Sequence, residues 1–189
     1  MEHDEIAIIE EIKKGNRENF GKLYDIYVKP LYTYIYYKTH HKEIAEDLTS
    51  TTFFKALNNI HSFESGKSFR AWLYRIAHNN VIDYYRGKKI HQNIDDAWDI
   101  SDGTDFVGDL DSDRKLGEVK KYLKKLSKEQ RDIIVMRVWQ DLSYKEIAEI
   151  IGKSEGNCKV IFSRSMDKLR TIMPATLYAA FILSLITYR

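Results

Sequence analysis

Residues 143–170 read SYKEIAEIIGKSEGNCKVIFSRSMDKLR and contain two signals for the start of a helix on either side of a glycine. Ser143 and Glu146 have the spacing of a capping box, which opens a short apolar helix that ends at Gly152. Ser154 caps a second and longer helix. A short helix, a glycine turn and a longer helix form a helix-turn-helix, for which an ordinary helical hairpin is the alternative.

The sequence on both sides of this stretch is also helical. A basic amphipathic helix is expected over Leu116–Leu126, and Ser127 with Gln130 forms another capping box. The apolar positions expected on the inner sides of these helices are Ile133, Ile134, Val135, Val138, Ile147, Ile150, Ile151, Val160, Ile161 and Leu169.

The C-terminal tail, Ala175–Tyr188, is almost wholly apolar. Its length falls short of the ~20 residues that span a bilayer. We expect it to pack on its own domain or to be buried by a partner. Contact with a membrane surface is the alternative.

Four helices are expected nearer the N-terminus. They are Asp4–Lys14 with Gly15 as its stop, a stripe from Phe20 to Ile35, Glu43–Asn58, and a helix from Ser68 to about Tyr85. Pro30 either kinks the second helix or starts a new one. The positions expected to face the core are Ile6, Ile9, Ile12, Phe20, Tyr24, Tyr27, Leu31, Tyr34, Ile35, Ile44, Leu48, Phe53, Leu57, Trp72, Leu73, Ile76 and Val81.

The charges are segregated along the chain although the net charge is only +2. Lys67–Lys89 carries six basic residues against one acid, and Asp95–Asp113 carries eight aspartates with no Lys or Arg. Arg114–Arg131 is basic again. Blocks of this kind indicate charged partners. The helical period is lost over Gly87–Asp113, which predicts a linker between two domains.

The amino-acid composition excludes several classes of fold and of site. Nine glycines and two prolines are too few turn residues for a large sheet protein. The single cysteine, Cys158, excludes an intramolecular disulfide and a cysteine-cluster zinc site. The acidic N-terminus lacks the apolar core of a secretory signal, so we expect a cytoplasmic protein.

The sequence therefore predicts an all-α protein with two small helical domains joined by a flexible acidic linker. The predicted boundaries are 1–90 for the first domain, 91–113 for the linker, 114–172 for the helix-turn-helix domain and 173–189 for the apolar tail.

The helix after Ser154 has the residue types of a DNA-recognition helix at its start. Amide and carboxylate side chains can bond base edges in the major groove, and basic side chains can meet phosphates. A solvated helix face would show the same charges. The candidates for reading duplex DNA are Lys145, Ser154, Glu155, Asn157, Lys159, Ser163 and Arg164.

The segment Phe63–Arg86 interleaves basic residues with aromatics and amides. Cations can follow a phosphate backbone, and aromatic faces can stack on unpaired bases, so single-strand binding is a second prediction. Core packing is expected to take some of the aromatics, Trp72 and Phe69 first. The candidates are Phe63, Lys67, Arg70, Arg75, His78, Asn79, Asn80, Asp83, Tyr84 and Arg86.

Both segments, in this order, resemble the extracytoplasmic-function subfamily of bacterial sigma factors. The family's region 2 is similar to AEDL at 45–48 with TF at 52–53, FRAWLYRIAHNN at 69–80 and DYYR at 83–86. Its region 4 is similar to LSKEQR at 126–131, LSYKEIAE at 142–149 and GKSEG at 152–156. Together the similar segments cover roughly three quarters of the chain.

The resemblance implies a division of labour between the two modules. The first would bind core RNA polymerase, at the clamp of its largest subunit, and read the melted minus-ten strand through the Phe63–Arg86 candidates. The helix-turn-helix would read the minus-thirty-five duplex next to the polymerase flap. The residues implied for core binding are Glu46, Asp47, Thr52, Phe53 and Lys55.

Other implications concern partners. The acidic linker would thread through channels that hold nucleic acid, and an anti-sigma factor, membrane-bound in some cases, would be a further partner. The resemblance implies that the chain binds promoter DNA. It implies neither a small-molecule substrate nor a cofactor.

Two departures from the family pattern affect contacts rather than fold. Ser50 and Thr51 stand where the family commonly has Gln and Glu, and Ile161 and Met166 stand where it often has arginine. Each lost phosphate contact would lower the slope of the logarithmic salt dependence by about one.

Two other classes of protein are alternatives to a sigma factor. A conventional regulator would bind an operator without polymerase, and a nucleic-acid enzyme such as a recombinase would need clustered acids or a nucleophile. Glu46 and Asp47 are neighbours that point apart on a helix, and no glycine-rich phosphate loop is present. His40 and His41 lack further zinc ligands. We therefore expect no enzyme, no catalytic residue and no metal site.

Overall fold

The computed structural model of the chain describes residues 2–88, 118–119 and 121–187, which group into two compact units. The first unit contains α1 (Glu2–Lys13), α2 (Phe20–Thr39), α3 (Lys42–Asn58) and α4 (Phe69–Lys88). The second contains α5 (Lys128–Val138), the first part of α6 (Tyr144–Ile151), α7 (Glu155–Ile172) and α8 (Ala175–Thr187).

The all-α prediction is confirmed, since these described residues form helices and turns without a strand. The predicted acidic linker, 91–113, lies outside them, as does the start of the helix expected over Leu116–Leu126.

The ends of the helices in the first unit follow from single residues. Gly15 takes a φ of 107°, which L side chains rarely adopt, and its N–H donates to the Ile12 carbonyl at 3.0 Å. At the start of α4, the Ala71 N–H donates to the Ser68 Oγ at 3.1 Å. Both the glycine stop and the serine cap were predicted, and both are confirmed.

Pro30 lies inside α2, which continues without a break from Phe20 to Thr39. The alternative in which Pro30 starts a new helix is therefore wrong. The helix ends instead at His40, whose φ of 49° is left-handed and whose N–H donates to the Tyr36 carbonyl at 2.8 Å.

The inner face of α3 differs from the one expected from its large apolar residues. Ile44, Leu48 and Leu57 are only half-buried. The fully covered positions are Ala45, Thr49, Thr52, Phe53 and Ala56. Small residues let α3 lie close to its neighbours, and the two threonine hydroxyls donate to carbonyls one turn earlier, each at 2.6 Å. Burial therefore leaves neither hydroxyl without a partner.

Two further core assignments in the first unit are wrong. Ile6 is 38% exposed and Tyr24 is 43% exposed. Both stand at the border of an apolar stripe, where helical spacing alone does not decide which side of the border a residue takes. The inner positions Ile9, Ile12, Leu23, Leu31, Tyr34 and Ile35 are buried.

In the second unit both predicted capping boxes are confirmed. At α5, the Gln130 N–H donates to the Ser127 Oγ at 3.3 Å, and the Ser127 N–H donates to the Gln130 Oε1 at 3.0 Å. At α6, the Glu146 N–H donates to the Ser143 Oγ at 3.2 Å, and the Ser143 N–H donates to the Glu146 Oε2 at 2.8 Å. These reciprocal bonds fix where each helix begins.

The C-terminal helix α8 belongs to the core of the second unit. Phe181 is 4% exposed, and its ring centre lies 5.9 Å from that of Trp139. The other buried members of this core are Val119, Leu123, Leu126, Ile134, Leu169 and Met173. The expectation that the tail packs on its own domain is confirmed. Over the described residues, no helix combines the length and the apolar composition that a membrane-spanning segment requires.

Candidate nucleic-acid and polymerase interfaces

The turn between α6 and α7 is held by its own backbone and by one ion pair. Gly152 has a φ of 70°, and the Lys153 N–H donates to the Ala148 carbonyl at 3.0 Å. The Lys153 Nζ lies 2.8 Å from the Glu129 Oε1, a hydrogen bond that raises the pKa of Lys153. Ser154 Oγ then accepts from the Asn157 N–H at 3.2 Å and caps α7. The start of α7 therefore has a fixed position against α5.

Tyr144 holds the first turn of α6 against α7. Its ring centre lies 5.7 Å from that of Phe162, with the Arg137 guanidinium 5.1 Å away and the Lys159 Nζ 5.9 Å away. Cations near an aromatic face are stabilised by the ring quadrupole. This role could not be predicted from the sequence, because an aromatic residue inside a capping box is compatible with many structures.

The predicted duplex-reading side chains lie on the outer surface of α6 and α7. They are Lys145, Ser154, Glu155, Asn157, Lys159, Ser163 and Arg164, and each is exposed. Glu155 and Lys159 pair with each other at 2.6 Å. On the inner side Cys158, Ser165 and Leu169 are buried, and burial raises the pKa of the Cys158 thiol.

One residue of α7 is on the opposite side from the one predicted. Val160 was expected to face the interior, yet it is 46% exposed, and Ile161 is half-buried. Cys158 and Ser165 complete the inner side of α7 instead. Both are small, so the spacing of large apolar residues does not predict that they are buried.

The outer face of α4 is charged and polar. Arg75, Asn79, Asp83 and Arg86 recur at spacings of four, four and three, and all are exposed. The Arg86 Nη1 lies 3.8 Å from the Asp83 Oδ1. Lys67 is exposed and pairs with Glu64 at 2.8 Å, while Arg70 and Tyr84 are half-buried. This face is suited to follow a phosphate backbone.

Three of the predicted single-strand contacts are buried instead. The first is Phe63, which is 3% exposed and lies in an aromatic cluster with Phe69 and Trp72. Each pair of rings in the cluster has centres 5.6 Å apart. Phe63 therefore packs in the core and has no face on which a base could stack.

His78 is the second. It is 8% exposed, and its Nδ1 lies 3.2 Å from both the Tyr34 hydroxyl and the Lys38 Nζ. Tyr85 donates to the Lys38 carbonyl at 3.0 Å, and burial raises the pKa of Tyr85 to about 12. His78 thus belongs to an internal polar cluster rather than to the outer face of α4.

Asn80 is the third, at 4% exposed. Its Nδ2 donates to the Thr52 Oγ1 at 2.9 Å, and its Oδ1 accepts from the Lys55 Nζ at 2.5 Å. Both partners lie on α3, so the Asn80 amide joins α3 to α4 and is turned away from the side of α4 that carries Asn79.

On α3, the structure exposes only some of the residues that the sequence predicted for polymerase binding. Glu46, Asp47 and Lys55 are exposed, as expected. Thr52 is fully buried and Phe53 is 5% exposed, so neither presents a surface to a partner.

An apolar cleft of about 520 Å³ lies between α2 and α3. Phe54, Tyr24 and Glu46 are among its lining residues, and Phe54 and Tyr24 are 67% and 43% exposed. Sequence reasoning missed Phe54. The signal was present in the pair Phe53–Phe54, since helical neighbours point about 100° apart and cannot both face one core.

Two family models match the chain in order. The model for Sigma-70 region 2 matches residues 23–90, and the model for Sigma-70, region 4 matches residues 116–169. The first range includes the outer face of α4 and the lining residues of the cleft except Phe20, and the second covers the helix-turn-helix.

Several characterised relatives match over most of the chain. RNA polymerase sigma factor YlaC of Bacillus subtilis is 33% identical over 84% of this chain and 94% of its own length. ECF RNA polymerase sigma factor SigW of the same organism is 31% identical over 86% and 92%. ECF RNA polymerase sigma factor BldN of Streptomyces coelicolor is 33% identical over 89% of this chain, which spans 66% of BldN.

Solved structures agree in fold. CnrH, solved in complex with the cytosolic domain of CnrY, has a TM-score of 0.68 at 23% identity, over 88% of this chain and 95% of CnrH. The sigma factor RpoE of Bartonella quintana, solved with the anti-sigma factor NepR, has a TM-score of 0.64 at 27% identity, over 82% and 96%. With both sigma regions matched in order, and with relatives above 30% identity matched almost end to end, this chain belongs to the extracytoplasmic-function (ECF) family of RNA polymerase sigma factors.

Proposed function

We propose that this chain binds the RNA polymerase core, directs it to a class of promoters and helps to separate the DNA strands for initiation. One observation carries the proposal: a region 2 unit with a charged outer helix face and a region 4 helix-turn-helix occur in one chain. The chain acts by binding in the cytoplasm, and the polymerase performs the chemistry.

The two units divide promoter recognition between them. The outer face of α4 supplies the minus-ten contacts, through Lys67, Arg70, Arg75, Asn79, Asp83, Tyr84 and Arg86. The exposed side of α6 and α7 supplies the minus-thirty-five contacts, through Lys145, Ser154, Glu155, Asn157, Lys159, Ser163 and Arg164. This division is supported by exposure, because these side chains are at least partly accessible. It places the first domain over 1–90 and the second over 114–172, with 91–113 between them.

Core polymerase docks on α3 in this proposal. Glu46 and an exposed apolar anchor, Phe54, line the cleft, and the exposed side chains of Asp47 and Lys55 lie on the same helix. An exposed aromatic beside charged groups is the composition of an interface centre with a polar rim. Phe54 and Tyr24 would thereby provide the contact area that Ser50 and Thr51 are too short to supply.

Phe54→Ala is expected to weaken binding to core polymerase by about 2 kcal/mol, the loss typical of an aromatic interface anchor. Stability should stay unchanged because the side chain is 67% exposed. Titration of labelled core polymerase with the purified wild-type chain and with the purified variant measures the two affinities and hence the loss. Ile26→Ala, which removes another exposed apolar side chain from the neighbouring helix, is the matched control. Equal affinities for the Phe54→Ala and Ile26→Ala variants would remove Phe54 from the docking surface.

An anti-sigma factor is a further proposed partner, and it is either bound to the membrane or free of it. Support comes from CnrH and RpoE, whose solved structures are complexes with CnrY and with the anti-sigma factor NepR. A gene for a membrane protein beside the gene for this chain would favour the membrane-bound version.

The experiment that tests the proposed function is run-off transcription with purified core polymerase on a library of promoter fragments. We expect transcripts from a subset of fragments only when the chain is added. An operator-binding regulator would instead bind duplex DNA tightly by itself and leave the transcript pattern of core polymerase unchanged, which would overturn the proposal.

A further inference from the structure

Val160 is an exposed apolar residue on a side of α7 that is otherwise polar. It is 46% exposed, while Asn157 before it and Arg164 after it share the same side at spacings of three and four. Single exposed apolar residues are common, so exposure alone would carry nothing. The position is distinctive because it lies one turn into the helix that the proposed function places in the major groove.

Valine is also an unfavourable residue for a solvated helix surface. Its branched Cβ restricts side-chain rotation in a helix, and alanine or a polar straight-chain residue would be better there. Val160 does not belong to the inner side of α7, which Cys158, Ser165 and Leu169 form. A contact outside the chain would cover the exposed part of the isopropyl group.

Two of the neighbouring charged groups already interact within the protein. Glu155 pairs with Lys159 at 2.6 Å, and the Lys159 ammonium also lies 5.9 Å from the centre of the Tyr144 ring. The amide group of Asn157, by contrast, forms no hydrogen bond within the part of the chain that the structure describes, where only its backbone N–H bonds Ser154. Asn157 and Val160 are therefore two exposed side chains near the start of α7 that can meet base edges without first breaking an ion pair.

Their spacing fits two neighbouring base pairs. Three residues along a helix correspond to about 4.5 Å, and successive base pairs are ~3.4 Å apart. An asparagine amide can bond N6 and N7 of adenine, and an aliphatic side chain can contact the C5-methyl group of thymine.

We propose that Val160 is a specificity-determining residue that reads the C5-methyl group of a thymine in the minus-thirty-five duplex, at a base pair adjacent to the adenine bonded by Asn157. This proposal rests on the proposed function, because it requires α7 to lie in the major groove. It gives the recognition helix an apolar contact in addition to the polar ones.

The test uses the RNA polymerase holoenzyme assembled with the full chain, and a promoter selected by that holoenzyme from a library randomised upstream. Each thymine of the minus-thirty-five element is replaced in turn by deoxyuridine, which removes only the methyl group. We expect one position at which deoxyuridine weakens binding about fourfold, the factor that corresponds to burying one methyl group.

The same scan with Val160→Ala provides the decisive comparison. Alanine is a better helix former, so the variant should fold. We expect it to bind the thymine promoter about fourfold more weakly and to lose its sensitivity to deoxyuridine at that position. Ile26→Ala, an exposed apolar side chain on α2, should keep the wild-type pattern.

Two results would overturn the proposal: no position sensitive to deoxyuridine in the wild-type complex, or the same sensitive position in wild type and in Val160→Ala. Both results require that the holoenzyme selects promoters. If no promoter is selected at all, the proposed function fails together with the thymine contact, and the two failures are thus distinguishable.

Discussion

Asn80→Ala is expected to lower the free energy of unfolding of the first unit by about 1–3 kcal/mol, the cost of leaving a buried polar partner unsatisfied. Its amide is 4% exposed and bonds both Thr52 and Lys55, so its removal takes away the polar connection between α3 and α4. Chemical denaturation, resolved for each unit by amide hydrogen exchange, measures the loss. Binding of the melted minus-ten strand per folded molecule should change little.

Asn79→Ala is the matched control, since Asn79 is the exposed neighbour on the same helix. We expect its stability to stay within about 0.5 kcal/mol of wild type. Its binding to a minus-ten single strand should fall about fivefold, the worth of one hydrogen bond of about 1 kcal/mol. The reverse pattern, with strand binding lost in Asn80→Ala and stability lost in Asn79→Ala, would contradict the assignment of the two amides.

Phe181→Ala is expected to destabilise the second unit by about 3–5 kcal/mol, the range for removing a buried aromatic side chain. The Phe181 ring is 4% exposed, lies 5.9 Å from the Trp139 ring and belongs to a core that also includes Leu169 of the recognition helix. Because α7 shares this core, binding of duplex DNA should weaken in parallel. Thermal unfolding followed by circular dichroism, with duplex binding measured on the same samples, checks both effects.

Thr176→Ala is the control for α8, because Thr176 is exposed on the same helix. It should change stability by less than about 0.5 kcal/mol. A Phe181→Ala variant as stable as Thr176→Ala would mean that α8 adds nothing to the core, and the role of the tail would have to be sought in a partner instead.

Local signals in the sequence predicted the helix boundaries well. Ser127, Ser143 and Ser154 cap helices as expected, because capping depends only on residues three positions apart. The helix-turn-helix could be predicted for the same reason: its turn requires Gly152 and its two helices begin at serines. Such features need no knowledge of what packs against them.

The side of a helix that becomes buried was harder to predict. In α3 the large residues Ile44 and Leu48 looked like the core, yet Ala45 and Thr49 occupy it, because the hydroxyl of a threonine can be satisfied by its own helix. Val160 was misplaced in the same way, since the inner side of α7 is formed by Cys158 and Ser165. Small residues mark a close helix contact only when the partner helix is known.

The candidate site shows the same limit. Asn79 and Asn80 are chemically identical, and the sequence predicted DNA contacts for both. Tertiary packing alone separates them, because the Asn80 amide meets Thr52 and Lys55 on α3, whereas Asn79 faces outward. Phe63 was assigned to base stacking for its residue type, although Phe69 and Trp72 enclose it.

Permanganate reactivity of thymines in the minus-ten region of a promoter that the holoenzyme selects measures directly whether this chain helps to open promoter DNA. Permanganate oxidises thymines that are unpaired and unstacked. We predict strong reactivity with core polymerase and this chain together, and background reactivity with core polymerase alone or with the chain alone. A duplex that stays unreactive in the presence of both would contradict the claim that the chain directs polymerase to open promoter DNA.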